Sequence, residues 1–344
     1  IYDCQQRRRH QPNVLARADN GNIQSDIVSS SSSIAIDMTT TISNVSSLVD
    51  GILKQQNDNG SFRINFVVED HANNEDDNVE DIQEGMEFFP GEAMLALMEV
   101  YHESSSPDQN SISLVDETTC QTILSAMTKA FHFYSSYYDQ HKQSLGTNYN
   151  IWQIQCFSRF FLALKDCDLQ KNDNAIDDAD THFMDRLYDY ITELCDDIVS
   201  SPAWRELNRG QSFYRNLQTL EIVCGLDALL DGLRVIATIV VKSSTCNNAT
   251  GSSSCNDGNN NDETQQEEDE QIRLYRLHVT NAIDFIKWAQ DQTINLNGGL
   301  GYGGLQVTEQ RLDVTGHAIS ALSKTAKYEF VFGRSVCSSN RMTT

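Results

Sequence analysis

Proton transfer needs a carboxyl or an imidazole held where water is scarce, and two stretches of this sequence offer such groups. The first is 87–101, "EFFPGEAMLALMEVY", where Glu92 follows two residues after Pro90. Proline suits the first turn of a helix, because it has no N–H to lose and its φ is already helical. Glu92 then falls in that first turn, where free N–H groups and the positive end of the dipole favour a carboxylate. Ala93, Met94, Leu95, Ala96, Leu97 and Met98 follow and predict a helix buried on every side. Burial raises the pKa of such an acid and the helix N-terminus lowers it, so the two effects oppose. The second stretch is 309–328, "EQRLDVTGHAISALSKTAKY", a polar cluster on an otherwise apolar pattern. His317 lies four residues after Asp313, so the two share one helical face. A carboxylate beside an imidazole orients it and raises its basicity. Both stretches also have plain structural readings. Glu92 can cap its helix or pair with Arg311, and His317 can be a satisfied core residue linking two helices.

These groups sit in a chain of 344 residues, long enough for one large domain or two ordinary ones. A hydrophobic content of 39% with 22% charged residues fits a globular protein with some disordered polar segments. The formal net charge of -24 argues against a nucleic-acid backbone or an anionic membrane as partner, since both need a basic face. No apolar run approaches the roughly 20 residues of a membrane span. Nine cysteines include no CxxC pair and no zinc-type Cys/His spacing, so neither a metal nor a cofactor is expected. Cys156, Cys195 and Cys224 lie in apolar helical patterns and read as small core residues. Cys246 and Cys255 flank a polar loop that they could close in an oxidising compartment. Sequons at Asn44, Asn59 and Asn248 are compatible with secretion, but such triplets leave secreted and cytoplasmic locations both open. The chain opens on Ile1 rather than Met, as an incomplete or processed product would.

Only four prolines and little β-branched alternation predict an all-α protein. Residues 1–33, with Arg7–Arg9 and a serine run, read as a disordered tail, and 331–344 as a frayed one. The domain is expected over 34–330, interrupted by an acidic low-complexity insertion at 245–270. Within it, amphipathic helices near 34–56, 117–141, 180–199 and 272–292 each lead into a helix apolar all round. The all-round apolar helices begin near Pro90, Trp152, Asn216 and Asp313, and 69–85 reads as an acidic loop. Without the insertion the unit recurs at roughly 60–70 residues, longer than solenoid helix pairs. The loops "NDNGSF" and "NLNGGLGYGG" repeat one turn device. Such alternation predicts an α/α toroid of helical hairpins, with the buried set inside and the amphipathic set outside.

The segments "FFPGEAMLALMEVY", "IWQIQCFSRFFLAL" and "GGLGYGGLQVTEQRLDVTGHAISAL" resemble the inner-helix signatures of the six-hairpin glycosidase-like (α/α)6 superfamily over about residues 40–328. "KQQNDNGSF" is also similar to the glutamine–tryptophan turn of the terpenoid-cyclase and prenyltransferase toroids, with Phe62 in place of tryptophan. Neither their aspartate-rich initiating motif nor their zinc set is found on an inner helix. Eight helices are counted against the twelve of a full ring, which predicts a smaller or incomplete toroid. The glycosidase-like resemblance implies a carbohydrate ligand and acid–base chemistry on an oligosaccharide or uronide, by hydrolysis or epimerisation. A degenerate toroid that binds or scaffolds is the alternative. Inverting hydrolysis uses two carboxyl groups roughly 6.5–9.5 Å apart, and Glu92, Glu221, Glu309 and Asp313 are the candidates. Glu92 is the preferred acid, and Asp313 with His317 the preferred partner set. Trp152, Tyr149 and Tyr302 can stack on a sugar ring, while Gln155, Asn216 and Gln218 can bind hydroxyls. Arg311 suits the carboxylate of a uronate.

Overall fold

A chain so poor in proline meets few barriers to helix, and helix dominates the computed structural model, which describes residues 38–64, 79–105, 113–170, 178–249, 260–292, 300 and 312–328. The elements are α1 (Met38–Leu53), α2 (Val79–Ser105), α3 (Glu117–His141), α4 (Thr147–Gln170), α5 (Asp178–Ser200), α6 (Pro202–Leu207), a 3-10 turn (Gln211–Asn216), α7 (Thr219–Ala249), α8 (Asn260–Gln292) and α9 (Leu312–Lys327). No strand occurs among the described residues; an isolated bridge joins Gln56 to Phe62. The expected tails at 1–33 and 331–344 lie outside the described residues, as do Cys255 and, apart from Leu300, the glycine-rich loop.

Four helices form a row. α2 packs on α4, α4 on α7 and α7 on α9, while α3 lies against α2 and α4, α5 against α4 and α7, and α8 against α7. The row is made of the helices with apolar residues on every side. In α7 every residue from Ile222 to Leu233 is buried, because α4, α5, α8 and α9 cover it from all directions. Close approach is built in at Gly232, where a Cβ would stand 2.4 Å from the Sγ of Cys195 on α5. The cysteines expected in the core are there: Cys156, Cys195 and Cys224 are all buried.

α9 departs from expectation. It buries Val314, Ala318 and Ala321 but exposes Leu312, Ile319 and Leu322, so it packs by one face rather than all round. The N-terminus of α2 also differs. The helix starts at Val79, with Pro90 inside it, so the part of the expected acidic loop at 69–85 that lies beyond residue 78 forms its first turns, and the rest lies outside the described residues. Pro90 then costs α2 the hydrogen bond to the carbonyl of Met86. Helix likewise extends into both flanks of the polar insertion, to Ala249 and again from Asn260. Glutamate and glutamine in "DETQQEEDE" are good helix formers even without an apolar face.

A turn and an aromatic cluster hold α3 to its neighbours. After α1, Gln56 donates to the carbonyl of Ala126 on α3 at 2.8 Å, and the N–H of Phe62 donates to the Tyr134 hydroxyl at 2.9 Å. Gly60 adopts φ 95 and lies so near the Lys129 carbonyl that any Cβ would meet it at 2.2 Å. Beneath the turn, Phe131, Tyr134 and Tyr138 of α3 are buried against Tyr149 and Phe157 of α4 and Tyr190 of α5. Their rings meet mostly edge-on, an arrangement worth about 0.5–1.5 kcal/mol per pair beyond area burial.

Candidate functional site

The site candidates are polar groups on α2, α4, α7 and α9. Asp227 and Asp231 stand one turn apart on α7, with side chains 4% and 6% exposed in the stretch 222–233, which is otherwise apolar. A buried carboxylate is costly without partners, and α9 supplies them. Lys324 bonds Asp227 Oδ1 at 2.7 Å, the Asp227 carbonyl at 3.2 Å and Asp231 Oδ2 at 2.6 Å. Ser320 donates to Asp227 Oδ1 at 2.9 Å, and His317 Nδ1 lies 3.3 Å from Asp227 Oδ2. His317, Ser320 and Lys324 recur at helical spacing, so one face of α9 carries all three.

The electrostatics follow from these contacts. Burial alone would raise the Asp227 carboxyl, but hydrogen bonds from His317, Lys324 and Ser320 and the ammonium charge outweigh it and hold the pKa below the ordinary value. Burial wins at Asp231, whose pKa rises despite the pull of Lys324 and Arg159. Burial works to lower Lys324, yet its two carboxylates overcome that and keep the ammonium charged to higher pH than usual. Two carboxylates around one ammonium leave a surplus negative charge beside His317.

Glu92 joins the site from α2. It lies in the middle of its helix, not in the first turn, so the expected dipole effect on its carboxyl is absent. Burial therefore raises its pKa, with the His317 charge pulling the other way. Among the described residues no cation lies within ion-pair distance of Glu92. Trp152, in the second turn of α4, meets the His317 ring edge-on at 6.1 Å between centroids and is half-buried. Its Cβ would stand 2.3 Å from a Cβ at Gly91, so the glycine beside Glu92 lets α2 close onto the tryptophan. Gln155 follows one turn later, buried, and its Nε2 has no hydrogen-bond partner. Arg159, one further turn along, pairs with Glu99 of α2. Trp152, Gln155 and Arg159 thus form one stripe of α4 beside α2.

The other expected residues fare differently. Asn216 and Gln218 are exposed, Asn216 on the 3-10 turn that precedes α7. Tyr149 is wholly buried, its hydroxyl donating to the Tyr134 carbonyl and meeting that of Tyr190, so it presents no face for stacking. Glu221 is in the first turn of α7 with a pKa raised by burial. Tyr302, Glu309 and Arg311 lie outside the described residues, and of Asp313 only its place in the first turn of α9 is described. The described carboxylate partner of His317 is Asp227, across the helix seam and not on its own helix. The signal for Asp227 and Asp231 is in "GLDALLDGL", two aspartates one turn apart in an apolar run.

No protein-family model, curated protein or solved structure matches the chain. The reading therefore rests on the residues. Among the described residues no helix is long and apolar enough to cross a membrane, and no cluster of three metal-ligating side chains occurs.

Proposed function

We propose that the chain forms an α/α toroid of the glycosidase-like kind, complete or partial, and that it carries out acid–base chemistry on a carbohydrate held at its inner helices. One observation carries this reading: a half-buried Glu92, its pKa raised by burial, is within electrostatic reach of an imidazole paired with a carboxylate, and the same imidazole meets Trp152. An acid and a base drawn from different inner helices are what proton exchange on a sugar requires. The alternation of buried and amphipathic helices supports the toroid, and the resemblance of the three inner-helix segments supports the sugar.

In this reading Glu92 donates its proton to the leaving or ring oxygen while His317 accepts one from water or from carbon. Trp152 offers a ring face, and the unpartnered Nε2 of Gln155 donates to a hydroxyl. Hydrolysis and epimerisation use the same pair and differ in where the second proton comes from. The test is a turnover screen on neutral and uronic oligosaccharides in deuterated water. New reducing ends report hydrolysis, and deuterium on a sugar carbon reports epimerisation. Glu92→Gln is expected to lower turnover about 10²–10⁴-fold, the usual share of one acid–base group, without unfolding the protein. Saccharide binding without turnover, unchanged in Glu92→Gln, would make this a binding toroid. Neither binding nor turnover across the panel would end the carbohydrate reading.

A further inference from the structure

The seam between α7 and α9 has a hydrogen-bond count that assigns the ring proton of His317. The Lys324 ammonium has three donors, and the structure gives it three acceptors: Asp227 Oδ1, the Asp227 carbonyl and Asp231 Oδ2. The Ser320 hydroxyl adds a second donor at Asp227 Oδ1. Asp227 is thereby held as a carboxylate with one oxygen, Oδ1, occupied and the other, Oδ2, turned to His317. An ionised carboxylate can only accept, so Nδ1 of His317 must be the donor. A neutral imidazole has one N–H, so Nε2 carries the lone pair.

We propose that Asp227, clamped by Lys324 and Ser320, is a positioning residue that fixes His317 in the Nδ1–H tautomer and leaves Nε2 as the proton acceptor. Asp231 belongs to the device because it occupies the third ammonium donor and keeps Lys324 beside Asp227. The other charged groups that face the cluster are Glu92 from α2, which acts electrostatically on His317, and Arg159 from α4, which acts on Asp231. Neither supplies an acceptor to Nδ1. The tautomer rests on geometry alone; only the use of Nε2 as a base rests on the proposed function.

The imidazole nitrogens report the tautomer directly. Long-range proton–nitrogen correlation spectra would be recorded on ring-labelled full chain in alkaline buffer, with a His317→Gln spectrum to single out His317 among the eight histidines. The wild-type protein is expected to show the Nδ1–H pattern. Asp227→Asn keeps shape but changes the donors. Lys324 and Ser320 still point donors at the old Oδ1 position, so the amide oxygen must face them and the amide N–H must face His317. Nδ1 then becomes an acceptor and the proton moves to Nε2. A wild-type Nε2–H pattern, or no change in a folded Asp227→Asn, would overturn the proposal. Should the variant fail to fold, the wild-type spectrum decides alone. If a saccharide substrate is in hand, Asp227→Asn is expected to lower kcat at least 10²-fold with KM little changed. The expected tautomer with no turnover on any saccharide would keep the clamp and remove the carbohydrate reading.

Discussion

Replacing Lys324 by methionine tests whether the α7–α9 seam is an electrostatic lock. The ammonium is nearly buried and joins two carboxylates that are themselves 4% and 6% exposed. Methionine fills a similar volume and removes the charge, leaving Asp227 and Asp231 facing each other without a cation. Breaking a buried pair in this way costs about 3–5 kcal/mol, because a charge is left uncompensated. With a urea dependence of about 3 kcal/mol/M, the unfolding midpoint at neutral pH is expected to fall by roughly 1–1.7 M. The loss must depend on pH, and the sign is fixed. Without Lys324 both carboxyl groups lose a charge that holds their folded pKa values down, so each is harder to ionise in the folded variant than in the folded wild type. The deficit of the variant is then largest above those folded values and shrinks as pH falls through them. Urea unfolding of both proteins from neutral pH down to about pH 4 measures the gap. A gap that stays constant over that range, or one below about 1 kcal/mol, would refute the buried lock. Adding Asp227→Asn and Asp231→Asn to Lys324→Met is expected to restore much of the stability, since a neutral cluster has no charge to strand.

In the wild-type protein the depressed Asp227 contributes stability above its unfolded pKa of 3.8, lost as pH falls through its lower folded value. Acid unfolding of Asp227→Asn is expected to lack that component. Glu92 has the opposite sign: its pKa is raised from 4.5, so any turnover that needs its proton falls as pH rises through the higher folded value. A pH–rate profile that keeps this limb in Glu92→Gln would remove Glu92 as the acid. Tyr134→Phe takes away the hydroxyl that accepts the Phe62 N–H and is expected to cost about 1–3 kcal/mol, read by thermal or urea unfolding. Gly232→Ala drives a Cβ to 2.4 Å from Cys195 Sγ and is expected to cost about 1–3 kcal/mol. Combined with Cys195→Ala it should cost less than the two single changes added, because the smaller side chain makes room.

The all-helical character was legible because it depends on local periodicity and composition. Helices apolar all round and helices apolar on one side alternate in the sequence, and α7 is covered from Ile222 to Leu233 for that reason, whereas α2 leaves Phe89, Ala96 and Glu99 exposed along one side. Two boundaries were not legible. Pro90 reads as a first-turn residue, yet α2 continues upstream of it: one lost hydrogen bond is less than the packing of a buried helix returns. At α9 the pattern of apolar residues could not say that only one face meets a neighbour. Leu312, Ile319 and Leu322 are exposed because packing depends on what lies opposite, which periodicity does not encode.

The site shows the same division more sharply. His317 stood out because an imidazole in an apolar helix is conspicuous, and i,i+4 geometry supplied Asp313 as its natural partner. The carboxylate described at Nδ1 comes from 90 residues earlier in the chain. No local rule could select it, since the pairing exists only once α7 and α9 lie side by side. The trace it leaves in sequence is energetic. Two aspartates one turn apart in a helix buried on all faces cost several kcal/mol each unless cations meet them. Such a pair therefore predicts a basic residue on a neighbouring inner helix. Lys324 is the lysine that meets them, one of two in the last turn of α9. Arg159 is held by Glu99, and its charge reaches Asp231 only as a weaker influence. Reading buried charge as a demand for a partner leads from "GLDALLDGL" to Lys324, and from Lys324 to the face of α9 that carries His317.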